Sequence, residues 1–505
     1  MLRLSPVLAS VLLLTSAWGA ALPSVHAQGY RLGGQQAPQL KMDPLVGDLQ
    51  RQLNQLRQQF QMRARRATLQ EAVEQSLLHN PSLAESYTQI QQRQWSLIAV
   101  RRQWYPQLNA GSAGANLYGF DALTTNRVQS NSAGFKPNTS YENGSQLGPA
   151  LNLRWTFFDP SRGASINAAS ESLDAQRLLF DVSARNLVLE TQLSYFNLQQ
   201  QQQLIEAYEQ ILDATNSQVD RSVALFNAGN AALSDVEQIR TQQLQNLSTL
   251  IDTYRQLVAN SAGLAQAMAL PTGTLVLPKD QLALIGQWSL SSEDTLKQAE
   301  ALREEIKASL AQASSANWSA TALFNRYWPS FNLGASGSYL ATNRAAGVPA
   351  SAVTSNSQDT RWGNAVGVGF SWMMFDGGIQ AAQAETNAYR AKQFTDTAAL
   401  QRLQVAREVE EAYVSYQASQ LALKSTRQQV DSAALAAVAV RERFSIGFAD
   451  MTSVVQTLNQ SILAANAYAR AIRDYNASVA SLYRYSARWP DGALPLLQKR
   501  VAALK

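Results

Sequence analysis

The residue types that most often carry catalysis are scarce in this chain. It contains no cysteine and only two histidines, His26 and His79, so a cysteine nucleophile, a histidine triad and a multi-histidine metal site are excluded. Paired carboxylates occur at Glu304–Glu305 and Glu410–Glu411, but both pairs lie among arginine and lysine in helical sequence, where we expect solvated salt bridges. We therefore predict that the protein is not an enzyme and has no catalytic residue, no metal site and no cofactor.

The overall composition is that of a folded protein without a bias toward nucleic acid. The 505 residues are 46% hydrophobic and 16% charged, which excludes a disordered chain. The formal charge of +5 and the isoelectric point near 9.3 raise the question of nucleic-acid binding. Arginine and lysine are, however, interleaved with aspartate and glutamate along the chain, so we predict no nucleic-acid partner.

The first residues predict export from the cytoplasm. A basic Arg3, an apolar stretch from about Leu4 to Trp18 and small residues up to Ala27 are typical of a cleavable signal peptide over residues 1–27. The alternative is a single membrane anchor helix, which the short apolar stretch disfavours. No later run of about 18 apolar residues occurs, so we expect the exported chain to have no membrane-spanning helix.

Three motifs recur in the same order in the two halves of the chain. The members of each pair are 217 to 223 positions apart, which indicates an internal duplication. The pairs are Trp104-Tyr105-Pro106 with Tyr327-Trp328-Pro329, Trp155-Thr156-Phe157-Phe158-Asp159 with Trp372-Met373-Met374-Phe375-Asp376, and Phe226-Asn227-Ala228-Gly229-Asn230-Ala231 with Phe444-Ser445-Ile446-Gly447-Phe448-Ala449.

After each aromatic-proline motif the sequence alternates between apolar and small or polar residues. This two-residue period predicts strands with one lipid-facing side, on which we place Trp155, Phe157, Phe370 and Trp372. A half-buried soluble sheet is the alternative. The intervening segments Phe120–Gln146 and Ala341–Thr360 are rich in Asn, Ser, Thr, Ala and Gly, so we expect surface loops there.

Each half thus supplies two strands, and four strands cannot close a lipid-exposed sheet. Two chains would give eight strands with a filled interior, whereas three chains would give twelve strands around a water-filled passage. Glycine and serine on the inner face favour the open passage.

Long helices are predicted beyond the strands. Ser161–Phe226 and Gly378–Phe444 contain no proline, and at about 1.5 Å per residue each spans roughly 100 Å. Four shorter helices are predicted over Leu233–Ala269, Met451–Tyr485, Leu69–Trp104 and Asp294–Tyr327. Because glutamine and threonine interrupt the apolar spacing of the first long helix, we expect one side of these helices to face water.

These features resemble the TolC family of outer-membrane efflux proteins. The resemblance rests on the opening helix from Thr68 to Leu83, on Phe375-Asp376-Gly377-Gly378, and on the paired Phe-x-x-Gly-x-Ala turns. It implies an α+β membrane protein: a homotrimer whose twelve-stranded β-barrel in a Gram-negative-type outer membrane continues into a long periplasmic α-helical barrel. It also implies two partners, a periplasmic adaptor protein and an inner-membrane transporter.

The resemblance also implies roles for individual residues. The two turns would form the periplasmic tip that docks the adaptor, through Phe226, Gly229, Ala231, Phe444, Gly447 and Ala449. Family members narrow the tunnel with acidic residues after the second turn, where this chain has Ser453 and Gln456, so Asp235 or Asp450 would supply the constriction. We expect both turn glycines to adopt a backbone conformation disfavoured for other residues.

The predicted organisation has six parts. They are a signal peptide at 1–27, an N-terminal extension at 28–66 to which we assign no function, a first repeat at 67–270, a connection at 271–292, a second repeat at 293–487 and a C-terminal tail at 488–505. The function expected of this assembly is a passive outer-membrane exit duct for small molecules, secreted proteins or both. A periplasmic helical scaffold without a pore is the alternative.

Overall fold

The computed structural model describes residue 40 and residues 44–113, 117–131, 134–347 and 355–504. The predicted signal peptide at 1–27 lies outside the described residues. The helices that are described are α1 (Pro44–Arg63), α2 (Leu69–His79), α3 (Pro81–Arg102), α4 (Pro160–Asn227), α5 (Leu233–Ala267), α6 (Ser292–Leu302), α7 (Glu304–Phe324), α8 (Ile379–Ser445), α9 (Met451–Tyr485) and α10 (Ala493–Leu504). The described strands are β1 (Ala64–Ala67), β2 (Gln107–Ser112), β3 (Tyr118–Asn131), β4 (Gly134–Leu147), β5 (Pro149–Phe158), β6 (Leu275–Pro278), β7 (Ser330–Gly347) and β8 (Ser355–Ser371).

Two very long helices dominate the molecule, as predicted. Helix α4 has 68 residues and α8 has 67, so each is about 100 Å long. Helix α4 starts sharply because Pro160 occupies its first turn and the Asp159 side chain accepts a hydrogen bond from the Ser161 amide at 2.9 Å. Helix α8 follows Gly377 and Gly378, whose positive φ angles turn the chain out of the sheet.

The two opening helices, each predicted as one span, are both broken, and the sequence indicates only the first break, at Asn80-Pro81. The first breaks between α2 and α3. Pro81 has no backbone N–H to donate, and the Asn80 side chain caps α3 by accepting a hydrogen bond from the Ser82 amide. The Asn80 amide also donates to the Ala267 carbonyl at 2.7 Å, which ties the break to the end of α5. The second break, between α6 and α7, falls at Arg303.

Six strands form one sheet. Strands β2 and β3 follow one another along one line of the sheet, and β4 and β5 along the next, so that with β7 and β8 the sheet has four strand lines side by side. Strand β2 pairs with β5, and strand β3 pairs with β4. Two hydrogen bonds continue the pairing between these two ladders: the Ala113 amide donates to the Gly148 carbonyl, and the Gly148 amide donates to the Leu117 carbonyl. Strand β7 pairs on one side with both β4 and β5 and on the other with β8. The spatial order is therefore β2–β3, β4–β5, β7, β8, and these four lines agree with the four strands predicted per chain.

The predicted surface loops Phe120–Gln146 and Ala341–Thr360 are largely wrong. Within the described residues, 120–131, 134–146, 341–347 and 355–360 are strands. Their Asn, Ser, Thr and Gly content misled the interpretation because composition indicates a preference for water, whereas the backbone donors and acceptors in these segments are satisfied by pairing with the neighbouring strand. The sheet is therefore taller than its apolar section alone.

The helices pack around a core near the middle of α4. Tyr195, Phe196 and Leu198 are fully buried there, in one apolar cluster with residues of α5 and of the small parallel sheet formed by β1 and β6. The Tyr195 hydroxyl lies 3.0 Å from both the Ala67 carbonyl oxygen and the Asp280 carboxylate, so this buried phenol is hydrogen-bonded.

A network of buried charges joins α4, α7, α8 and α9 at the break between α6 and α7. The Arg185 guanidinium is 2.9 Å from the Glu304 carboxylate, and Arg303 bonds both Glu305 and Glu408 at 2.9–3.0 Å. Arg484 also pairs with Glu305. The expectation of a solvated Glu304–Glu305 face is therefore wrong, because their side chains lie against Arg303 at the helix break, Arg185 of α4 and Arg484 of α9.

No helix among the described residues is both long enough and apolar enough to span a membrane.

The buried charges predict a pH dependence of stability. Burial, and secondarily the Glu304 charge, raise the pKa of Asp181 to about 6 from its ordinary 3.8. Since the folded chain holds this proton more tightly than the unfolded chain, Asp181 destabilises the fold above pH 6, and that penalty disappears as the pH falls toward 4. We expect Asp181→Asn to stabilise the protein by about 1–2 kcal/mol at pH 7.5 and to have little effect at pH 4.

Thermal unfolding followed by circular dichroism at both pH values measures this difference. The matched control is Asp174→Asn, which removes an exposed carboxylate from the same helix. An Asp181→Asn protein that melts below the unsubstituted chain at pH 7.5 would contradict the prediction.

Candidate functional site

The two predicted tip turns have the expected backbone conformation. Gly229 has a φ of +79° and Gly447 a φ of +82°, both in the left-handed region that favours glycine. Each follows directly on the end of a long helix, and the next residue donates back to a carbonyl of the last turn: Asn230 to Leu225 at 2.8 Å and Phe448 to Arg443 at 2.8 Å. Equivalent turns thus end both long helices.

The two turns lie together in the fold. Phe226 and Phe444 pack against one apolar cluster that joins the two repeats. The buried members of this cluster are Val219, Val223, Val236, Ile239, Met451, Val454 and Leu458. Ala231 and Ala449 are half-buried, whereas Gly229 and Gly447 are exposed. The structure therefore brings all six predicted tip residues to one end of the helices.

The candidate constriction residues lie at the starts of the two returning helices. The Asp450 carboxylate caps α9 by accepting a hydrogen bond from the Ser453 amide at 2.8 Å, and the Asp235 carboxylate accepts one from the Ala232 amide at 3.2 Å. Hydrogen bonds from the Ser453 side chain and backbone lower the pKa of Asp450, so its exposed carboxyl is charged at neutral pH. Gln456 is exposed one turn further along α9.

Direct hydrogen bonds between the repeats lie just above the tip cluster, and sequence reasoning did not find them. Gln242 of α5 and Asn459 of α9 exchange two amide hydrogen bonds of 2.9 and 3.1 Å. Nearer the turns, the side chains of Gln238 and Thr452 lie 3.4–3.5 Å apart. Their signal in the sequence is polar residues at otherwise apolar helical positions of α5 and α9.

On the first long helix, the prediction that threonine and glutamine mark a side facing water is wrong at Thr191 and Thr215. Thr215 and Asn246 are buried and hydrogen-bonded to each other at 3.1 Å, and Gln242 donates to Asn246 at 2.8 Å. Higher on α4, Thr191 is buried and lies 3.1 Å from the Ser76 hydroxyl. The polar side chains interrupt the apolar seam because they pair across it, which satisfies their donors and acceptors without solvent.

The sheet carries one continuous apolar face. Directly paired residues of neighbouring strands point to the same side of a sheet, so the register identifies this face. Its rows are Leu108, Leu153, Ala335 and Val366; Trp155, Leu333 and Val368; and Phe158, Phe331 and Phe370. The opposite face carries small or polar residues such as Asn152, Ser336 and Ala365.

The four residues predicted to face lipid are all exposed on the chain. Phe370 lies in an apolar row of this face. Phe157 occupies a bulge of β5, and its ring centroid is 6.0 Å from that of Trp155 and 6.4 Å from that of Phe331. Trp372 directly follows β8. An exposed apolar sheet face with aromatic residues at the end nearest the helices is typical of strands that contact lipid.

Equivalent tryptophans fasten the sheet to the helices in both repeats. The Trp155 indole donates to the Trp104 carbonyl at 2.9 Å, and the Trp372 indole donates to the Tyr327 carbonyl at 2.9 Å. Donors and acceptors are thus residues from the recurring motifs of the duplication. In the first repeat the Arg162 guanidinium also stacks 4.2 Å from the Trp104 ring centre.

Within the part of the chain that the structure describes, no group of three or more His, Cys, Asp or Glu side chains is arranged to hold a metal ion.

Comparison with known proteins agrees with this architecture. The sequence model of the family described as "Outer membrane efflux protein" matches residues 72–270 and 295–488, once for each half of the chain. The chain is 22% identical to the outer membrane protein TolC of Escherichia coli K12 over 401 residues, which cover 77% of this chain and 75% of that protein.

Solved structures show the same fold. The outer membrane protein VceC of Vibrio cholerae superposes with a TM-score of 0.63 at 16% identity, covering 83% of this chain and 96% of that chain. The CmeC outer membrane channel of Campylobacter jejuni superposes with a TM-score of 0.64 at 14% identity, covering 86% of this chain and 90% of that chain. The predicted α+β architecture is confirmed, and because the family model matches most of the sequence in two tandem segments, this chain belongs to the outer membrane efflux protein family.

Proposed function

We propose that three copies of this chain form a passive exit duct through the outer membrane. Cargo enters between the helical turns at the periplasmic tip, passes along a water-filled helical tunnel and leaves through the barrel. The duct itself catalyses no reaction, and the energy for transport comes from a partner. This proposal extends the family assignment to a mechanism for this chain.

The observation that carries the proposal is the open edge of the sheet. Among the described residues, the β2–β3 line pairs only with β4–β5, and β8 pairs only with β7. No further strand in the described part of the chain pairs with the outer side of either line, while the adjoining face is apolar. Hydrocarbon tolerates an apolar face but not unpaired peptide groups, so β8 of one copy must pair with β2–β3 of another.

The composition of the sheet's inner face favours three copies. Two copies would close an eight-stranded barrel, whose interior is filled by side chains, whereas three close twelve strands around open space. Gly334, Ser336 and Ser338 of β7 oppose Gly367, Ala365 and Gly363 of β8 on the inner face. These small side chains would leave even a narrow barrel poorly filled, which supports the larger one.

The two glycine turns are proposed to dock a periplasmic adaptor protein, which in turn connects the duct to an inner-membrane transporter. Gly229 and Gly447 are exposed at the end of the helices, and Phe226, Ala231, Phe444 and Ala449 surround them. A partner would thus meet two similar turns per chain, or six per trimer.

We propose that the narrowest part of the tunnel lies at the start of the returning helices. Asp450 caps α9, Ser453 and Gln456 lie on its first two turns, and Asp235 lies on the first turn of α5. In a trimer each position becomes a ring of three side chains, and a ring of carboxylates attracts cations. A tunnel of this kind selects by width and charge, so small molecules and secreted proteins both fit it.

The duct predicts discrete ion channels. Detergent-extracted protein should be trimeric and should give long-lived single-channel openings in a planar bilayer, since twelve strands enclose water. Light scattering on the same sample measures the oligomeric state. A monomer without conductance would contradict the duct and favour the periplasmic scaffold. A trimer without conductance would indicate a closed tip, and in that case substitution of Asp450 should produce openings.

The left-handed turn predicts the effect of a single methyl group. We expect Gly447→Ala to destabilise the turn by about 1 kcal/mol, since a Cβ is disfavoured at a φ of +82°. Hydrogen exchange of residues 440–455 should then accelerate about fivefold. Gly163→Ala is the matched control, because an added Cβ meets no atom within 4 Å at either glycine and Gly163 lies in α4 without a positive φ. Equal exchange in both variants would show that the turn is not strained by a side chain.

The proposed constriction predicts a change in ion selectivity. Asp450→Asn removes three charges from the trimer but keeps a side-chain oxygen that caps α9, so the helix should remain intact. We expect cation over anion permeability to fall severalfold, measured as a reversal potential under a salt gradient. Glu293→Gln, an exposed position on α6, should leave the reversal potential unchanged. If Asp450→Asn behaves like Glu293→Gln, Asp450 serves only as a helix cap.

A further inference from the structure

The described residues of the N-terminal extension, 40 and 44–66, lie along the first-repeat hairpin formed by α4 and α5. Its helix α1 carries Val46, Leu53 and Phe60, spaced by seven residues, and these three side chains are buried. A seven-residue spacing gives a helix one narrow apolar stripe, which packs against a second helical surface.

That second surface is the groove between α4 and α5. The three α1 side chains belong to one apolar cluster with residues from both helices of the hairpin. The members of this cluster include Leu204, Tyr208 and Leu212 of α4 and Leu247, Leu250, Tyr254 and Leu257 of α5. They are spaced by three and four residues, so they form a stripe of the same kind on each helix.

Polar contacts fix the register and direction of α1. The Arg57 guanidinium lies 2.6 Å from the Glu209 carboxylate of α4, which also accepts a hydrogen bond from the Tyr254 hydroxyl of α5 at 3.3 Å. At the other end, the Leu40 amide donates to the Asn227 side chain at 3.0 Å, and that side chain donates back to the Leu40 carbonyl at 3.3 Å. The partner numbers rise as the α1 numbers fall, so the segment runs antiparallel to α4.

Both ends of the segment are anchored at functionally distinct places. Immediately after α1, strand β1 pairs with β6 of the connection between repeats, and Arg63 donates to the Gly273 carbonyl at 3.1 Å. Leu40 packs against the tip cluster that holds Phe226 and Phe444. The segment thus joins the middle of the molecule to the last turn of α4, two residues before Gly229.

We propose that the groove between α4 and α5 is a helix-binding surface that α1 occupies within the same chain, and that α1 and Leu40 together hold the first-repeat turn in place. The surface recognises an amphipathic helix with apolar residues seven apart and a basic residue opposite Glu209. A partner helix that approaches this groove must displace α1. The proposal concerns contacts within one chain, so it stands or falls independently of conduction by the trimer.

The experiment compares two leucines of the same helix, three positions apart. Leu53 is 8% exposed and faces the groove, whereas Leu56 is 61% exposed and faces away from it. In full-length, detergent-extracted protein we expect Leu53→Asp to accelerate hydrogen exchange about tenfold or more, both in α1 and in residues 219–230 at the turn. Leu56→Asp should leave both regions as they are in the unsubstituted protein.

Two results would overturn the proposal. Equal exchange of α1 in the two variants would mean that Leu53 does not hold the helix in the groove. Released α1 with an unchanged turn would mean that the segment does not hold the tip. If Leu53→Asp prevents folding, the milder pair Leu53→Ala and Leu56→Ala should show the same difference with a smaller acceleration.

A synthetic peptide tests the helix-binding surface directly. A peptide of residues 40–63 in saturating excess should restore protection of the turn in the Leu53→Asp protein, because it supplies the missing stripe and Arg57. The same peptide carrying the Leu53→Asp change should not. Absence of protection by the unsubstituted peptide, or equal protection by both, would overturn the claim that the groove recognises an amphipathic helix.

Discussion

A sheet in contact with hydrocarbon must pair every peptide group, and this requirement organises the whole molecule. The described residues of each chain provide four strand lines, and none of them pairs with the outer side of β2–β3 or of β8. The chains must therefore pair with one another for the sheet to be stable in the membrane. Because β5 leads through Asp159 into α4 and β8 leads through Asp376 into α8, closing the barrel also arranges the long helices as a ring.

The junction between sheet and helices transmits this arrangement. In each repeat a tryptophan indole near the end of a strand donates to the carbonyl of the first residue of the aromatic-proline motif, Trp155 to Trp104 and Trp372 to Tyr327. These hydrogen bonds fix the end of the strand relative to the preceding helix. Asp376 reinforces the second junction by accepting hydrogen bonds from the Tyr327 hydroxyl and the Gln380 amide. Below the junction, the buried arginine–glutamate network joins four helices at the break near Arg303, a geometry that depends on every charge having its partner.

Much of the architecture could be predicted because hydrophobic periodicity is visible within a short stretch of sequence, and because the internal repeat is found by comparing the chain with itself. Local sequence patterns predict four kinds of element: the long helices, the returning helices, the left-handed glycine turns and the alternating strands. Several of the failures concern partners that are distant in sequence. The local sequence indicates water contact for Thr215 and a solvated charge for Glu304, because it does not reveal which side chain lies opposite either residue. The strands over 120–131 and 134–146 were missed because ladder pairing, rather than composition, satisfies their backbone.

The duplication also explains why the two halves of the tip differ. Strands β1 and β6 occupy corresponding places ahead of the two repeats and pair with each other in parallel. The residues before β6, however, complete α5 and its turn, so a free helix corresponding to α1 could not exist ahead of the second repeat. The first hairpin therefore gains a third helix that fills its groove, while the α8–α9 hairpin has none among the described residues of its own chain. Leu421, Leu435 and Val438 of α8 are consequently exposed in the isolated chain. In a closed ring this apolar side is available to a neighbouring copy, so the unequal halves of one chain become the complementary surfaces of an assembly.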